Sequence, residues 1–276
     1  MSLRQSYQKS VVVAVIAFIV AIFFLFMSMT ADIPEASQQN YILYAYFLAA
    51  VGTLFLYLAF YLWKGGKRIR TDSRSIAILA IFAAMVLALE IFPIPFLTDI
   101  PLFGGFTLDP TGIPICFVFL AYGNVFSFLL LPIVWIAIGY RNIVGSIFKV
   151  FAEFFTLLGL IVARFVLRKR SYDWKVATPI YLIFGVVFRA IGMYIANNYL
   201  IQWFYGLPSD VAITLSVSFV IPNIIQAVIN VLAGILLFVI IPENLAIEAR
   251  FGKYGTDEYN EYQEIPPNEL ESINDE

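Results

Sequence analysis

Three stripes of polar residues inside apolar runs carry the chemistry of this sequence. Asn142, Ser146, Lys149 and Glu153 are spaced by four, three and four, which puts them on one face of a helix. Lys149 and Glu153 stand at i,i+4, where opposite charges can pair and lower each other's cost. Arg189, Met193 and Asn197 recur every four residues, with Asn198 beside them. Asn223, Gln226 and Asn230 follow at three and four. A charge near the centre of a bilayer costs about 2.5–3.5 kcal/mol on insertion scales, so each needs a reason. One reason is polar glue between helices. With the cations Lys149 and Arg189 and the carboxylates Glu90 and Glu153, the set points instead to a polar cavity open to the outside. The cations would suit anionic or carbonyl groups, and the amides would suit amide or ring edges. Phe92, Phe96, Trp135 and Trp203 near the outer mouth could stack on a planar ring, although Trp more commonly anchors at the interface.

The totals exclude much else. Of 276 residues, 61% are hydrophobic, 17% aromatic and 13% charged, with mean hydropathy +0.87. That is an all-α integral membrane protein. There is no histidine, which removes histidine-ligated metal sites and Ser-His or Cys-His catalysis. The single cysteine, Cys116, leaves no disulfide framework. Gly66-Lys67 lacks the rest of a phosphate-binding loop, because Arg68 stands where Ser or Thr is needed. Gly145-Ser146 lacks the flanks of a nucleophile elbow. No enzyme activity, catalytic cofactor, metal or nucleic-acid partner is expected.

These stripes must be held by membrane-crossing helices, and the basic clusters count them. Val11–Met29 and Tyr41–Trp63 are two lead spans. The segment Lys64–Arg74 carries five basic residues and one acid, and Arg168–Lys175 is also basic. Both clusters are expected in the cytoplasm, so an even number of spans separates them. Residues 75–167 fit four spans at roughly 20 residues each, beginning with Ser75–Phe92. Residues 176–241 supply two longer ones. The expectation is eight spans in the cell membrane with both termini cytoplasmic: residues 1–74 as two lead helices and a basic loop, 75–242 as a six-helix core, and 243–276 as a solvated, mostly disordered tail. From Glu243 onward there are ten acidic and two basic residues; before it, nine and fifteen.

One stretch does not look like a plain span. Thr98 to Gly112 reads TDIPLFGGFTLDPTG. Irregular backbone at membrane depth must be buried in protein or line a wet cavity. A short broken span that helps to form a site is one reading, and an ordinary loop is the other. Elsewhere, Ala77, Ala80, Ala84 and Ala88 form a small-residue seam that lets another helix approach closely. It serves internal packing or docks a separate membrane subunit.

Four motifs together resemble the substrate-binding S components of energy-coupling factor (ECF) vitamin transporters, most closely the riboflavin-type group. They are Thr98-Asp99-Ile100-Pro101 with Gly104-Gly105-Phe106 and Asp109-Pro110; Ala80-x-x-x-Ala84; Arg189-x-x-x-Met193-x-x-x-Asn197 with Tyr205-Gly206; and Ile221-Pro222-Asn223. The resemblance covers roughly residues 75–242. It implies a six-helix bundle, with the two N-terminal helices extra to it, and a ligand held near the outer face. It also implies partners: a T component, met through the alanine seam, and two ATP-hydrolysing subunits. Asp99 to Pro110 would be a short second core helix, Pro93–Thr98 a lid, Asp99 near the mouth, and Asp109 in a cytoplasmic turn. The family's Gly is replaced at Asp109. Gln226 stands where a riboflavin-type Lys is expected, which touches the pocket.

The function expected is therefore a membrane-embedded binding subunit for uptake of a vitamin or similar micronutrient, riboflavin among the candidates. Its pocket residues would be Glu90, Lys149, Glu153, Arg189, Asn197, Asn223 and Gln226. The alternative is a self-sufficient secondary transporter of a small polar solute that uses Glu153 as a proton-linked carboxylate.

Overall fold

The structure is a computed structural model that describes residues 3–28, 41, 44–45, 48, 52, 73–92, 100–101, 107–139, 142–167, 174–242, 245–246 and 249. Most of the expected second lead span lies outside these residues. So do the basic segment 64–72, the lid 93–98, Asp99, residues 102–106, Phe96, residues 168–173 and almost all of the acidic tail.

Apart from one short hairpin, the described elements are helices. They are α1 (Leu3–Ser28), α2 (Ser73–Ile91), β1 (Ile100–Pro101), β2 (Thr107–Leu108), α3 (Gly112–Tyr122), α4 (Asn124–Gly139), α5 (Ile143–Leu167), α6 (Trp174–Tyr205), α7 (Ser209–Ser218) and α8 (Val220–Ile240). Among the described residues, three helices are long and apolar enough to cross a membrane: Ile143–Leu167, Trp174–Tyr205 and the run Ser209–Ile240 that joins α7 to α8. The chain divides into two compact units, Met1–Pro93 with Phe128–Phe151, and Ile94–Ser127 with Ala152–Glu276.

In the first unit α1 buries a face of small residues, Ser10, Ala14, Ala17 and Ala21. Small side chains let backbones approach closely where lipid offers no hydrophobic drive. A Cβ on Gly52 would fall 3.1 Å from the Phe18 ring, and Phe24 stacks on Tyr41 with ring centroids 5.9 Å apart. On α2 the seam residues Ala77, Ala80, Ala84 and Ala88 are exposed, while Val86 and Glu90 are buried.

The second unit holds a parallel and antiparallel helix packing that can be read from close contacts. A Cβ on Gly112 would meet Asn230, and one on Gly234 would meet Cys116. Further along, the rings of Phe117 and Phe238 are 6.0 Å apart. Both numbers rise together, so α3 and α8 run parallel. Between α5 and α6 they run oppositely: Phe155 lies against Gly192, and Gly159 against Phe184. Helix α6 is also antiparallel to α8, with Arg189 on Asn223 and Gly185 on Val231. At the end where α6 begins, Trp174 packs on Tyr181 and Phe238, and Tyr181 meets Phe119. Arg164 lies 5.1 Å from the Phe119 ring centroid, a cation–π contact. Tyr122 donates to the Ala249 carbonyl at 3.0 Å, tying the end of α3 to the chain beyond α8.

Two turns need their glycines. Gly206 ends α6 at φ 62°, where its N–H reaches the Gln202 carbonyl at 3.0 Å. Gly123, at φ 85°, separates α3 from α4.

The stretch 99–110 corrects the expectation of a short second core helix. Ile100 pairs with Leu108 and Pro101 with Thr107 in an antiparallel ladder. Pro101 has no N–H and a fixed φ, and the β-branched Ile100 and Thr107 suit extended backbone. The helix begins only at Gly112 and has 11 residues, about 16 Å, too short to cross a bilayer alone. Its third residue is Pro114, where a missing N–H costs nothing in the first turn.

Gly159 is the tightest backbone approach between α5 and α6, because a Cβ there would fall 2.3 Å from the Phe184 carbonyl oxygen. Backbone cannot step aside as a side chain can. Gly159→Ala is therefore expected to destabilise the protein by about 1–3 kcal/mol, read as a lower melting temperature of the full chain in detergent.

Candidate functional site

The centre of the second unit is an ion pair. Arg189, near the middle of α6, donates from Nη1 to Glu153 Oε1 at 2.8 Å, and the two side chains are 2% and 1% exposed. The same Nη1 reaches Thr156 Oγ1 at 3.2 Å, and Nε donates to Asn223 Oδ1 at 3.2 Å. Asn230 adds a long bond from Nδ2 to Glu153 Oε1 at 3.4 Å. Three helices thus give one buried network: Glu153 and Thr156 from α5, Arg189 from α6, Asn223 and Asn230 from α8.

Each member follows from its local helix. Thr156 lies one turn after Glu153, and its hydroxyl donates back to the Ala152 carbonyl at 2.9 Å. Asn223 donates from Nδ2 to the Phe219 carbonyl at 2.9 Å, which orients its Oδ1 toward Arg189. Phe219 is where α7 passes into α8. Pro222, one position before Asn223, has no N–H to give the Ser218 carbonyl, so the ladder is interrupted there.

A fourth element closes on this cluster. Gln226 brackets the main chain of Asp109: its amide nitrogen Nε2 donates to the Asp109 carbonyl, and the Asp109 N–H approaches Oε1 at 3.4 Å. The Asp109 carboxylate accepts the Thr111 N–H at 3.0 Å, and α3 then starts. At that start, a Cβ on Gly112 would fall 2.0 Å from Asn230 Nδ2 and 2.7 Å from Glu153 Oε2. The N-terminus of α3, with its partial positive charge, therefore abuts the Glu153 carboxylate. Four side-chain atoms near or along these helices are buried without a hydrogen-bond partner among the described residues: Glu153 Oε2, Asn230 Oδ1, Thr111 Oγ1 and Asn197 Oδ1.

Of the residues expected from sequence, Glu153, Arg189 and Asn223 are brought into direct contact, and Gln226 sits one turn along α8 on Asp109. Asn197 is buried two turns beyond Arg189 on α6. Glu90 and Lys149 form a separate pair in the first unit, with Lys149 Nζ 3.8 Å from Glu90 Oε1.

Three expectations are corrected. Glu153 pairs with Arg189 on another helix rather than with Lys149 at i,i+4. A Lys preceding its Glu is the weaker orientation of such a pair, and the guanidinium gives a shorter, multiply bonded contact. Asp109, expected in a cytoplasmic turn, has its main chain on Gln226 of the α8 polar stripe. The polar stripes, expected to line a cavity open to the outside, are not exposed at these residues: Glu153, Arg189, Asn197, Asn223, Gln226 and Asn230 are all buried. Sequence reading left out Thr156, which its i+3 spacing from Glu153 signals, and kept Asn230 in its stripe without assigning it to the site. Nothing local to the sequence distinguishes Gly112.

No protein-family model, curated protein or solved structure matches the chain. The functional reading therefore rests on the motifs and on this geometry.

Removing one member of a buried pair strands the other charge, at about 3–5 kcal/mol, whereas replacing both with apolar residues is often neutral or stabilising. Arg189→Met is expected to lower the melting temperature sharply. Adding Glu153→Leu to it should restore most of the loss, and a double-mutant cycle in detergent measures the difference.

Proposed function

We propose that this chain is the membrane-embedded substrate-binding subunit of an ECF-type importer for a vitamin or similar micronutrient. On this reading it is a multi-pass protein of the cell membrane with both termini cytoplasmic, and a six-helix core follows two lead helices. It works with a T component and two ATP-hydrolysing subunits, and riboflavin is among the solutes to be tried.

The observation that supports it most is the convergence of polar side chains from α5, α6 and α8 on Arg189 and Glu153, at mid-length of helices long enough to span a bilayer. Ionisable groups at such positions are costly and mark functional sites by default. Arg189 and Asn223 belong to two of the motifs that carry the resemblance, and they bond to each other. The motif over 98–110 lends less, because Ile100–Pro101 and Thr107–Leu108 within it pair as short antiparallel strands. The exposed alanine seam on α2 agrees with a face left for a T component.

A second reading is favoured by one atom. Glu153 Oε2 has no partner among the described residues, as a carboxylate that takes up and releases a proton would require, so a self-sufficient proton-coupled transporter of a small polar solute is the rival.

The two readings separate in reconstituted vesicles. The importer reading expects vitamin uptake only with the T component and ATPases present, lost when ATP hydrolysis is disabled, and a small molecule identifiable by mass in the purified subunit. Uptake by the chain alone, driven by a pH gradient without ATP, would overturn it in favour of the rival.

A further inference from the structure

The buried network is satisfied on one side only. Glu153 Oε1 accepts from both Arg189 and Asn230, while Oε2 accepts from nothing among the described residues. Asn230 donates through Nδ2, and its Oδ1 has no partner. Turning the amide over would set Oδ1 against Glu153 Oε1, oxygen to oxygen, so the network itself fixes which Asn230 atom is unmet. Both residues are nearly fully buried, at 1% and 0% exposed. Their side chains converge on Gly112, the first residue of α3. A side chain there would collide with both, so only glycine lets the start of α3 lie this close to them.

The unmet atoms of Glu153 and Asn230 are therefore two acceptors, one on α5 and one on α8, beside the Thr111 hydroxyl, which also has no partner among the described residues. What they lack is a donor, and charge decides which kind. Arg189 and Glu153 already cancel. The remaining α8 residues in the network, Asn223, Gln226 and Asn230, are neutral, while the Asp109 carboxylate, which accepts the Thr111 N–H, keeps its own charge nearby. The α3 N-terminus adds partial positive charge beside Glu153. A cation would sit near a guanidinium and a positive helix end, both of which repel it. An anion would face two acceptor oxygens. A neutral group with two donors, such as a primary amide, a ring N–H beside an amine, or a pair of hydroxyls, meets both atoms and leaves the balance unchanged.

We infer that Glu153 Oε2 and Asn230 Oδ1 form a subsite for a neutral hydrogen-bond-donor group of the solute, and that Arg189 positions Glu153 instead of binding an anion. The inference rests on the binding-subunit reading and narrows its substrate class.

The test uses the full chain in detergent and three pairs of probes that share a ring but differ in charge: nicotinamide and nicotinate, riboflavin and its 5′-phosphate, pyridoxine and its 5′-phosphate. Equilibrium dialysis is expected to show the neutral member of a pair bound at least about tenfold more tightly, since a site with buried polar groups rejects analogues that leave them unpaired. Asn230→Leu, which keeps size and neutrality, should weaken that binding by about tenfold or more without favouring the anionic member. Neutral binding unchanged in Asn230→Leu, or preference for the anionic member, overturns the subsite and leaves the binding-subunit reading standing. So does a thermal stabilisation by sodium over choline chloride that Asn230→Leu abolishes, which would assign a cation. Binding of none of the six probes removes the binding-subunit reading and the subsite with it. Should Asn230→Leu fail to fold, the preference of the unmodified protein within each pair decides alone.

Discussion

The Arg189–Glu153 pair is the interaction on which the second unit depends. Two charges removed from water need each other and need further hydrogen bonds, or their desolvation outweighs their attraction. At 2.8 Å the pair is close, and Thr156, Asn223 and Asn230 supply the remaining contacts. The pair and these partners together reside on three helices, so the pair sets the register between them. Sliding α6 by one turn, about 5.4 Å, would place Arg189 against apolar residues and leave Glu153 without its cation. Apolar packing alone would tolerate such a slip far better, because a Leu or Phe one turn away fills similar space.

Short polar side chains can meet at the centre only because the backbones come close. Gly159 lies against the Phe184 carbonyl, Gly192 against the Phe155 ring, and Gly234 against Cys116. Where lipid is as apolar as leucine, such contacts hold helices together by packing and not by a hydrophobic drive. The same closeness lets α3 enter. Its first residue is a glycine between Asn230 and Glu153, and the chain before it is held by the Gln226 amide on the Asp109 main chain. A short helix that begins at mid-length of its neighbours is acceptable because its entering backbone is bonded to protein, which lipid could not do.

How much of this was readable in the sequence follows from the range of the forces. The faces were legible: a period of 3.6 puts Glu153 and Thr156, or Asn223, Gln226 and Asn230, on one side of a helix whatever the fold. The long helices were legible too, as α5, α6 and the α7–α8 run begin and end within a few residues of their apolar runs. The partners were not. Glu153 has Lys149 one turn before it in sequence and takes Arg189 from another helix, a choice made by tertiary approach. The stretch 99–110 was legible as a break but not in kind. Its prolines and glycines forbid a stable helix, yet only the ladder of Ile100 with Leu108 decides that the alternative is a hairpin. Gln226 reads as a pocket residue from its place in the α8 stripe and from the resemblance, and its partner, main chain 117 residues away, could not be read from either.

A buried pair of this kind is a poor source of stability, since well-packed apolar residues of similar volume serve a helix bundle as well or better. Its retention at the centre of three helices is better explained by what its geometry leaves over. The network spends the guanidinium on Glu153, Thr156 and Asn223, and keeps one carboxylate oxygen and one amide oxygen unbonded beside a glycine. A purely structural network gains by closing every bond, because each buried unmet acceptor costs about 1–3 kcal/mol. One satisfied on the arginine side and unmet on the side of the broken helix has the form of a holder: the cation fixes the carboxylate, the glycine start of α3 packs directly against it, and the Gln226 bracket ties down the chain that leads into that start.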